Sequence, residues 1–208
     1  MALSTYSDLK TSVADWLRRS DLTSAVPDFI TLAEAQMNRQ LRVRPMMARV
    51  TATISDEYSA TPSDLIEVRS ITLAGEPLQY RTPMAMDLLA SQDTAATQPT
   101  DYSVVGSELR YYPAPDTSYS AALLYWQRIP ALSASNTTNW VLTNHPDAYL
   151  YGALVQSAPY LRADDRLAVW GGLFTQALAD IKTHYRDGPA KLRSDIPVMG
   201  RSFDINNG

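Results

Sequence analysis

Residues 136–161 read NTTNWVLTNHPDAYLYGALVQSAPYL, and this stretch decides the fold. It divides into a loop, a helix start and a helix that is apolar on nearly every side. Asn144 is the candidate N-cap, because its side chain can accept a bond from a free backbone N–H of the first turn. Pro146 suits that turn, where its missing N–H costs nothing. Asp147 sets negative charge at the positive end of the helix. Beyond it Tyr151, Leu154, Val155 and Ala158 form one face, and Tyr149, Leu150 and Ala153 another. A helix of this kind needs cover on all sides. The chain can supply some of that cover, and neighbouring copies could supply the rest.

Helices are expected on both sides of this stretch in the sequence. Residues 6–19 place Leu9, Val13, Trp16 and Leu17 at helical spacing, and Thr5 with Asp8 has the form of a capping box. After a break at residues 21–25, Pro27 opens a second helix reaching residue 42, with Ile30, Ala33, Met37 and Leu41 on one face. Pro45 ends it. The short connection predicts that these two helices pack as a hairpin. The last helix is expected over residues 164–186, with a stripe of Trp170, Leu173, Ala177, Ile181 and Tyr185. Asp164 and Asp165 stand at its start, where the helix dipole favours them. Gly171 and Gly172 lie inside it and would permit close packing or a kink.

Between the helical halves the period changes from helical to alternating. Residues 49–54 alternate with Val50, Ala52 and Ile54 on one face. Residues 67–73 and 78–81 flank the turn residues Gly75, Glu76 and Pro77. A short helix follows Pro83 through Met84, Leu88 and Leu89, and residues 91–100 read as a loop. Residues 102–105 and 108–112 enclose Gly106 and Ser107 as a hairpin, and residues 119–128 form the longest strand. The chain is thus expected to be α+β. It comprises a helical half at residues 1–45, a β-rich insert at 46–130, a second helical half at 131–187 and an extended tail at 188–208. Trp16, Leu41, Tyr151, Leu154, Trp170 and Phe174 are the candidates for the bundle core or for contacts between subunits.

Composition narrows the function classes. A chain of 208 residues can hold one large domain or a core with a smaller insert. No cysteine is present, which excludes disulfides and thiolate metal sites. A net charge of −4 argues against gripping nucleic acid by phosphate neutralisation, but not against surrounding it. No basic segment followed by an apolar run marks a signal peptide, and no stretch approaches the ~20 apolar residues of a membrane span. The plain expectation is a soluble protein of the cytoplasm, or of an assembly made there.

The search for reactive chemistry finds little. His145 beside Asp147 could begin a catalytic pair, but no nucleophile-elbow sequence accompanies it. Helix-terminal polarity accounts for it, as for His184 near a helix C-terminus. Asp164 and Asp165 lack histidines or calcium-loop spacing around them, so neither a metal nor any other cofactor is expected. Arg39, Arg42, Arg44 and Arg49 form a basic cluster. It would touch DNA or an acidic partner, or be a solvated face, and the acidic total favours the latter. Tyr111, Tyr112, Tyr119, Tyr125 and Trp126 could line a sugar-binding platform, but aromatic packing across a sheet is the safer assignment.

The tail GPAKLRSDIPVMGRSFDINNG has no period. Leu192, Ile196, Val198, Met199, Phe203 and Ile205 cannot build a core of their own, so the segment is either disordered or held by something else.

Four segments together resemble the head-to-tail adaptor (connector) family of tailed bacteriophages. They are YSDL at residues 6–9, VPDFITLAEA at 26–35 with Arg39 and residues 41–44 after it, PSDLIEVRS at 62–70, and NWVLTN before DAYLYGAL at 139–154. The resemblance implies a structural virion protein at the head–tail junction, assembled in the host cytoplasm. Such proteins form a ring, typically of twelve copies, below the portal. The ring extends the DNA channel, which DNA crosses without sequence-specific binding, and carries a downstream nozzle or stopper protein. The family's C-terminal extension reaches the portal. Here that extension would dock through the six apolar tail residues above, with Lys191, Arg193 and Arg201 adding charge complementarity. A stopper or tail-completion protein is the competing reading, and a carbohydrate-binding module a more distant one.

Overall fold

The computed structural model describes residues 3–161 and 165–186. Helix α1 (Tyr6–Leu17) starts at the expected capping box: Thr5 Oγ1 accepts from Asp8 N at 3.2 Å, and the Asp8 carboxylate accepts from Thr5 N at 3.0 Å. Helix α2 (Val26–Gln40) ends two residues sooner than expected. Leu41 is already extended, and its side chain is fully buried. The Arg42 guanidinium donates to the carbonyls of Asn38 and Leu41, which satisfies acceptors at the helix end. Pro45 therefore lies in a separate 3-10 turn, Arg44–Met46, rather than terminating α2.

Eight strands and a helix follow. They are β1 (Met47–Ile54), β2 (Tyr58–Ala60), β3 (Leu65–Leu73), β4 (Glu76–Pro77), β5 (Gln79–Tyr80), α3 (Pro83–Gln92), β6 (Asp101–Val105), β7 (Glu108–Tyr112) and β8 (Tyr119–Gln127). They make two four-stranded sheets, ordered β1-β8-β3-β4 and β2-β7-β6-β5. The β6–β7 hairpin turns at Gly106 with φ +63°, where the missing Cβ removes the steric penalty. The other expected turn is shifted. Ala74 and Gly75 make it at φ +52° and +93°, while Glu76 and Pro77 already pair with β3. The chain then passes to the second sheet at Gln79.

Ile54, Ile71, Leu73, Leu109, Tyr111, Leu123 and Tyr125 form one apolar core, built from both sheets. The helices build a second core, which Met46, Trp126, Ile129 and Leu132 join. Strand β8 serves both, because alternate side chains leave opposite faces of a strand: Leu123 and Tyr125 enter the first core and Trp126 the second. In β1 only Ile54 of the expected face is buried. Val50 and Ala52 are exposed, because β1 is the edge of its sheet.

Residues 136–161 contain two helices rather than one. Asn139 caps α4 (Trp140–Asn144), its Oδ1 accepting from Leu142 N at 3.0 Å. Asn144 is thus the last residue of α4 and not an N-cap. The Pro146 ring breaks the helix there, and α5 (Pro146–Gln156) begins after His145, whose side chain makes no capping bond. Pro159 falls in a 3-10 turn, Ala158–Tyr160, so α5 stops short of residue 161. Helices α1, α2, α4 and α6 (Arg166–His184) all pack on α5. Among its residues only Asp147 is exposed, so the chain itself covers the helix and no neighbouring copy is needed for that.

Gly152 permits the closest approach. A Cβ there would lie 3.0 Å from Phe174 Cε2 and 3.1 Å from the Ala33 Cβ. Gly171 and Gly172, expected to permit close packing or a kink, would meet nothing within 4 Å with an added Cβ, so close packing is not their role. Asp165 precedes α6 without a side-chain capping bond, and Asp164 lies outside the described residues.

Candidate functional site

The most enclosed polar chemistry lies where the chain returns from β8 to the bundle. Glu34 of α2 is 5% exposed. Its Oε1 accepts from Leu132 N at 2.8 Å and from Tyr149 Oη at 2.9 Å. Asn139 Nδ2 donates to Tyr149 Oη at 2.6 Å and to Pro130 O at 2.8 Å, while Asn38 Oδ1 accepts from Ile129 N at 2.8 Å. Burial pushes the Glu34 carboxyl above its ordinary range, against the two hydrogen bonds that pull it down. Burial, then the nearby Glu34, pushes the Tyr149 phenol up as well. A buried carboxyl whose neighbours are backbone and phenol donors works as a clasp: it fixes the linker over residues 129–132 to α2 and α5. Reading the sequence missed this group. Its one signal was a glutamate next to Ala33, on the apolar face of α2.

Beside the clasp runs a groove of about 510 Å³ between α2 and the start of β3. Arg39, Arg42 and Arg128 line it with Asn38, Ile66 and Ile129. Arg42 also stands 3.8 Å from Glu67. The expected basic cluster is therefore divided. Arg39 and Arg42 share the groove and gain Arg128, a residue 86 positions after Arg42 that only the fold brings near. Arg44 and Arg49 are exposed on the 3-10 turn and on β1, away from the groove lining.

Of the six bundle candidates, Leu41, Leu154, Trp170 and Phe174 are buried in the helical core, and Tyr151 packs against it half-buried. Trp16 does not belong to the core. It is 45% exposed, because Val13 and Leu17 take the inward face of α1 and leave it on the flank. There it meets Tyr151 edge-on at 6.1 Å, and its carbonyl accepts from Arg166 at 3.2 Å.

His145 lies 5.7 Å from the His184 ring and 5.5 Å from Tyr185, ring centre to ring centre, at the end of α6. Trp140 meets Tyr185 at 5.5 Å. Burial lowers the His145 pKa, with His184 adding to that effect and Asp147 and Asp180 opposing it. The nearest ring partners are aromatic, and His145 Nε2 is buried without a hydrogen bond. This is a packed aromatic corner, not a nucleophile–base pair. Among the described residues, no three His, Asp or Glu side chains converge on a metal position.

The strand aromatics do not assemble a platform. Tyr111 and Tyr125 are buried in the sandwich core, with hydroxyls bonded to Ser59 and Asp64, and Trp126 enters the helical core. Tyr112 donates to the Leu89 carbonyl of α3, and Tyr119 to Asp116. The tail residues Lys191, Leu192, Arg193, Ile196, Val198, Met199, Arg201, Phe203 and Ile205 lie outside the described residues. No helix among the described residues is long and apolar enough to cross a membrane.

The arrangement is therefore one of packed cores, a polar clasp and exposed edges. A comparison with curated proteins finds no match to the chain. The family model described as SU10 adaptor protein matches residues 4–194, which takes in both helical halves and both sheets. On that match the chain belongs to the SU10 adaptor protein family of bacteriophage head-to-tail adaptors.

Proposed function

We propose that the protein forms a ring, of about twelve copies, beneath the portal, extends the DNA channel and presents an attachment platform for a nozzle or stopper protein. The family match over residues 4–194 is the observation that carries this reading. The self-covered α5 supports it, since a bundle that closes its own core can serve as a rigid part between two partners. The division of labour proposed here follows the chain. Residues 1–45 and 131–187 make the rigid body, residues 46–130 face the neighbours and tail proteins, and residues 188–208 dock on the portal. Apolar side chains of the tail fill portal pockets, while Lys191, Arg193 and Arg201 meet acidic groups. Repetition around a ring converts weak single contacts into a lasting joint.

Co-sedimentation with the cognate portal ring tests this, comparing the full chain with one ending at Asp187. The expected result is stoichiometric binding by the full chain and loss on truncation. Binding that survives truncation moves the portal contact to the helices or sheets. Absence of binding by the full chain rejects the adaptor role.

A further inference from the structure

The first sheet ends in two open edges, one regular and one irregular. On one side is β1, eight residues long, with Arg49 to Thr53 all exposed and no strand beyond it among the described residues. On the other side β4 covers β3 only at Thr72 and Leu73, and one further bond runs from Leu78 N to Ile71 O. Residues 65–70 of β3 have no outer neighbour. A long, regular edge without proline or inward charge is a template for pairing with another chain, and stable monomers usually blunt it. The β1 edge is not blunted, whereas β3 carries register irregularities between Leu65 and Glu67 and between Val68 and Ser70, yet its residues 65–70 stay without an outer strand.

The edges also fit each other. Both β1 and β3 run antiparallel to β8, so they point the same way. Arg49 stands opposite Leu124 of β8, and Glu67 opposite Trp126, so both leave the face turned from the sandwich core. Val50 stands opposite Leu123, and Val68 opposite Tyr125, on the inner face. Arg49 has no ion pair or hydrogen bond among the described residues, and the Glu67 side chain, though 3.8 Å from Arg42, is 61% exposed and can take a second cation. A cavity of about 460 Å³ runs beside the open part of β3, with Val68, Tyr80, Tyr102 and Val104 in its lining. It has room for the inner-face side chains of an added strand, Val50 first among them.

We propose that the open edge of β3 receives β1 of a second copy in parallel. Arg49 of one copy then meets Glu67 of the next, Val50 enters the cavity, and the first sheet continues across the junction. The contact joins two different surfaces, so it repeats head to tail and closes only if the rotation per copy allows. It deepens the ring reading by naming the ring's lateral interface, and rests on that reading for closure alone.

The chain has no cysteine, so introduced thiols are unique. The double variant R49C/E67C, treated with a short thiol cross-linker, is examined free at high concentration and bound to the portal ring. The expected result is a ladder of covalent oligomers. Each single variant should give none alone, and the two mixed should give only dimers. Absence of the ladder in both states overturns the proposal. So does a covalent dimer that R49C forms alone.

A charge test needs no cross-linker. Arg49→Glu should weaken self-association roughly tenfold, and adding Glu67→Arg should restore it. Failure of the swap to restore association overturns the Arg49–Glu67 contact. Portal binding without a ladder leaves the adaptor role standing and removes this interface. A ladder without portal binding does the reverse.

Discussion

Tyr149 of α5 donates its phenolic hydrogen to Glu34 of α2 across 2.9 Å, in a site closed to solvent. The same carboxylate oxygen accepts from Leu132 N, so one buried group holds two helices and the returning linker. Glu34→Leu removes the acceptor for both donors. Each orphaned donor costs about 1–3 kcal/mol, so the variant should lose about 2–6 kcal/mol, read by urea denaturation at pH 7.

Glu34→Gln keeps an acceptor and removes the buried charge, and the pH dependence separates the two effects. Burial holds the folded-state pKa above the ordinary 4.5. The folded protein then binds the proton more tightly than the unfolded chain does. The stability this contributes is fully present below 4.5 and is lost as pH rises through the folded-state value. Glu34→Gln abolishes that slope, so its stability relative to the wild type should rise between acid and neutral pH. A difference that is flat with pH would show that Glu34 titrates normally.

Three glycines make an internal contrast. Gly152 would bring a Cβ to 3.0 Å from Phe174, whereas Gly171 and Gly172 face open space. Alanine is favoured over glycine in a helix by about 1 kcal/mol. Gly171→Ala and Gly172→Ala should therefore stabilise, by about 0.5–1 kcal/mol each, in thermal or urea melts. Gly152→Ala should show no such gain, because overpacking of about 1–3 kcal/mol opposes it. Gly152→Leu should be severely destabilised. Equal gains at all three sites would contradict the close approach of α5 to α6.

The capping box at Thr5 and Asp8, the Gly106–Ser107 hairpin and the helix after Pro83 are local features, and each stands where pattern and turn chemistry put it. What went astray depended on competition between neighbours. Asn144 and Asn139 are both good caps, and only the break at Pro146 decides which one caps a helix. Val50 has the alternation of a buried face, but alternation cannot say whether a strand ends up at an edge. The Arg128 side of the groove and the Glu34 clasp join residues about 90 or more positions apart, beyond the reach of any period.

Asn139 has a larger task than an ordinary cap. Its Oδ1 accepts from Leu142 N, and its Nδ2 serves Tyr149 and the Pro130 carbonyl. Thr5, by contrast, caps α1 in a half-exposed position. Thr5→Ala should cost about 1 kcal/mol, the usual loss of a cap. Asn139→Ala should cost about 2–3 kcal/mol, because three groups, two of them buried, lose a partner together. The two variants measured in the same denaturant series check this, and equal costs would mean that the Tyr149 bond adds nothing to the cap.

His145 offers a pH response opposite in sign to that of Glu34. Burial lowers the His145 pKa below its ordinary 6.5, and His184 at 5.7 Å lowers it further. The folded state then binds this proton less readily than the unfolded chain. The contribution is fully present above 6.5 and is lost as pH falls through the folded-state value. Asp147 and Asp180 oppose the shift, and Tyr185 packs edge-on against both imidazole rings. Only two histidines exist in the chain, so a proton NMR titration gives two imidazole signals, and His184→Gln assigns them by removing one. His145 should titrate below 6.5 in the wild type and move upward in His184→Gln, since a like charge has been removed. A His145 signal titrating at or above 6.5, or unmoved by the His184 change, would show that the corner is solvated and that α6 does not close against α4 there.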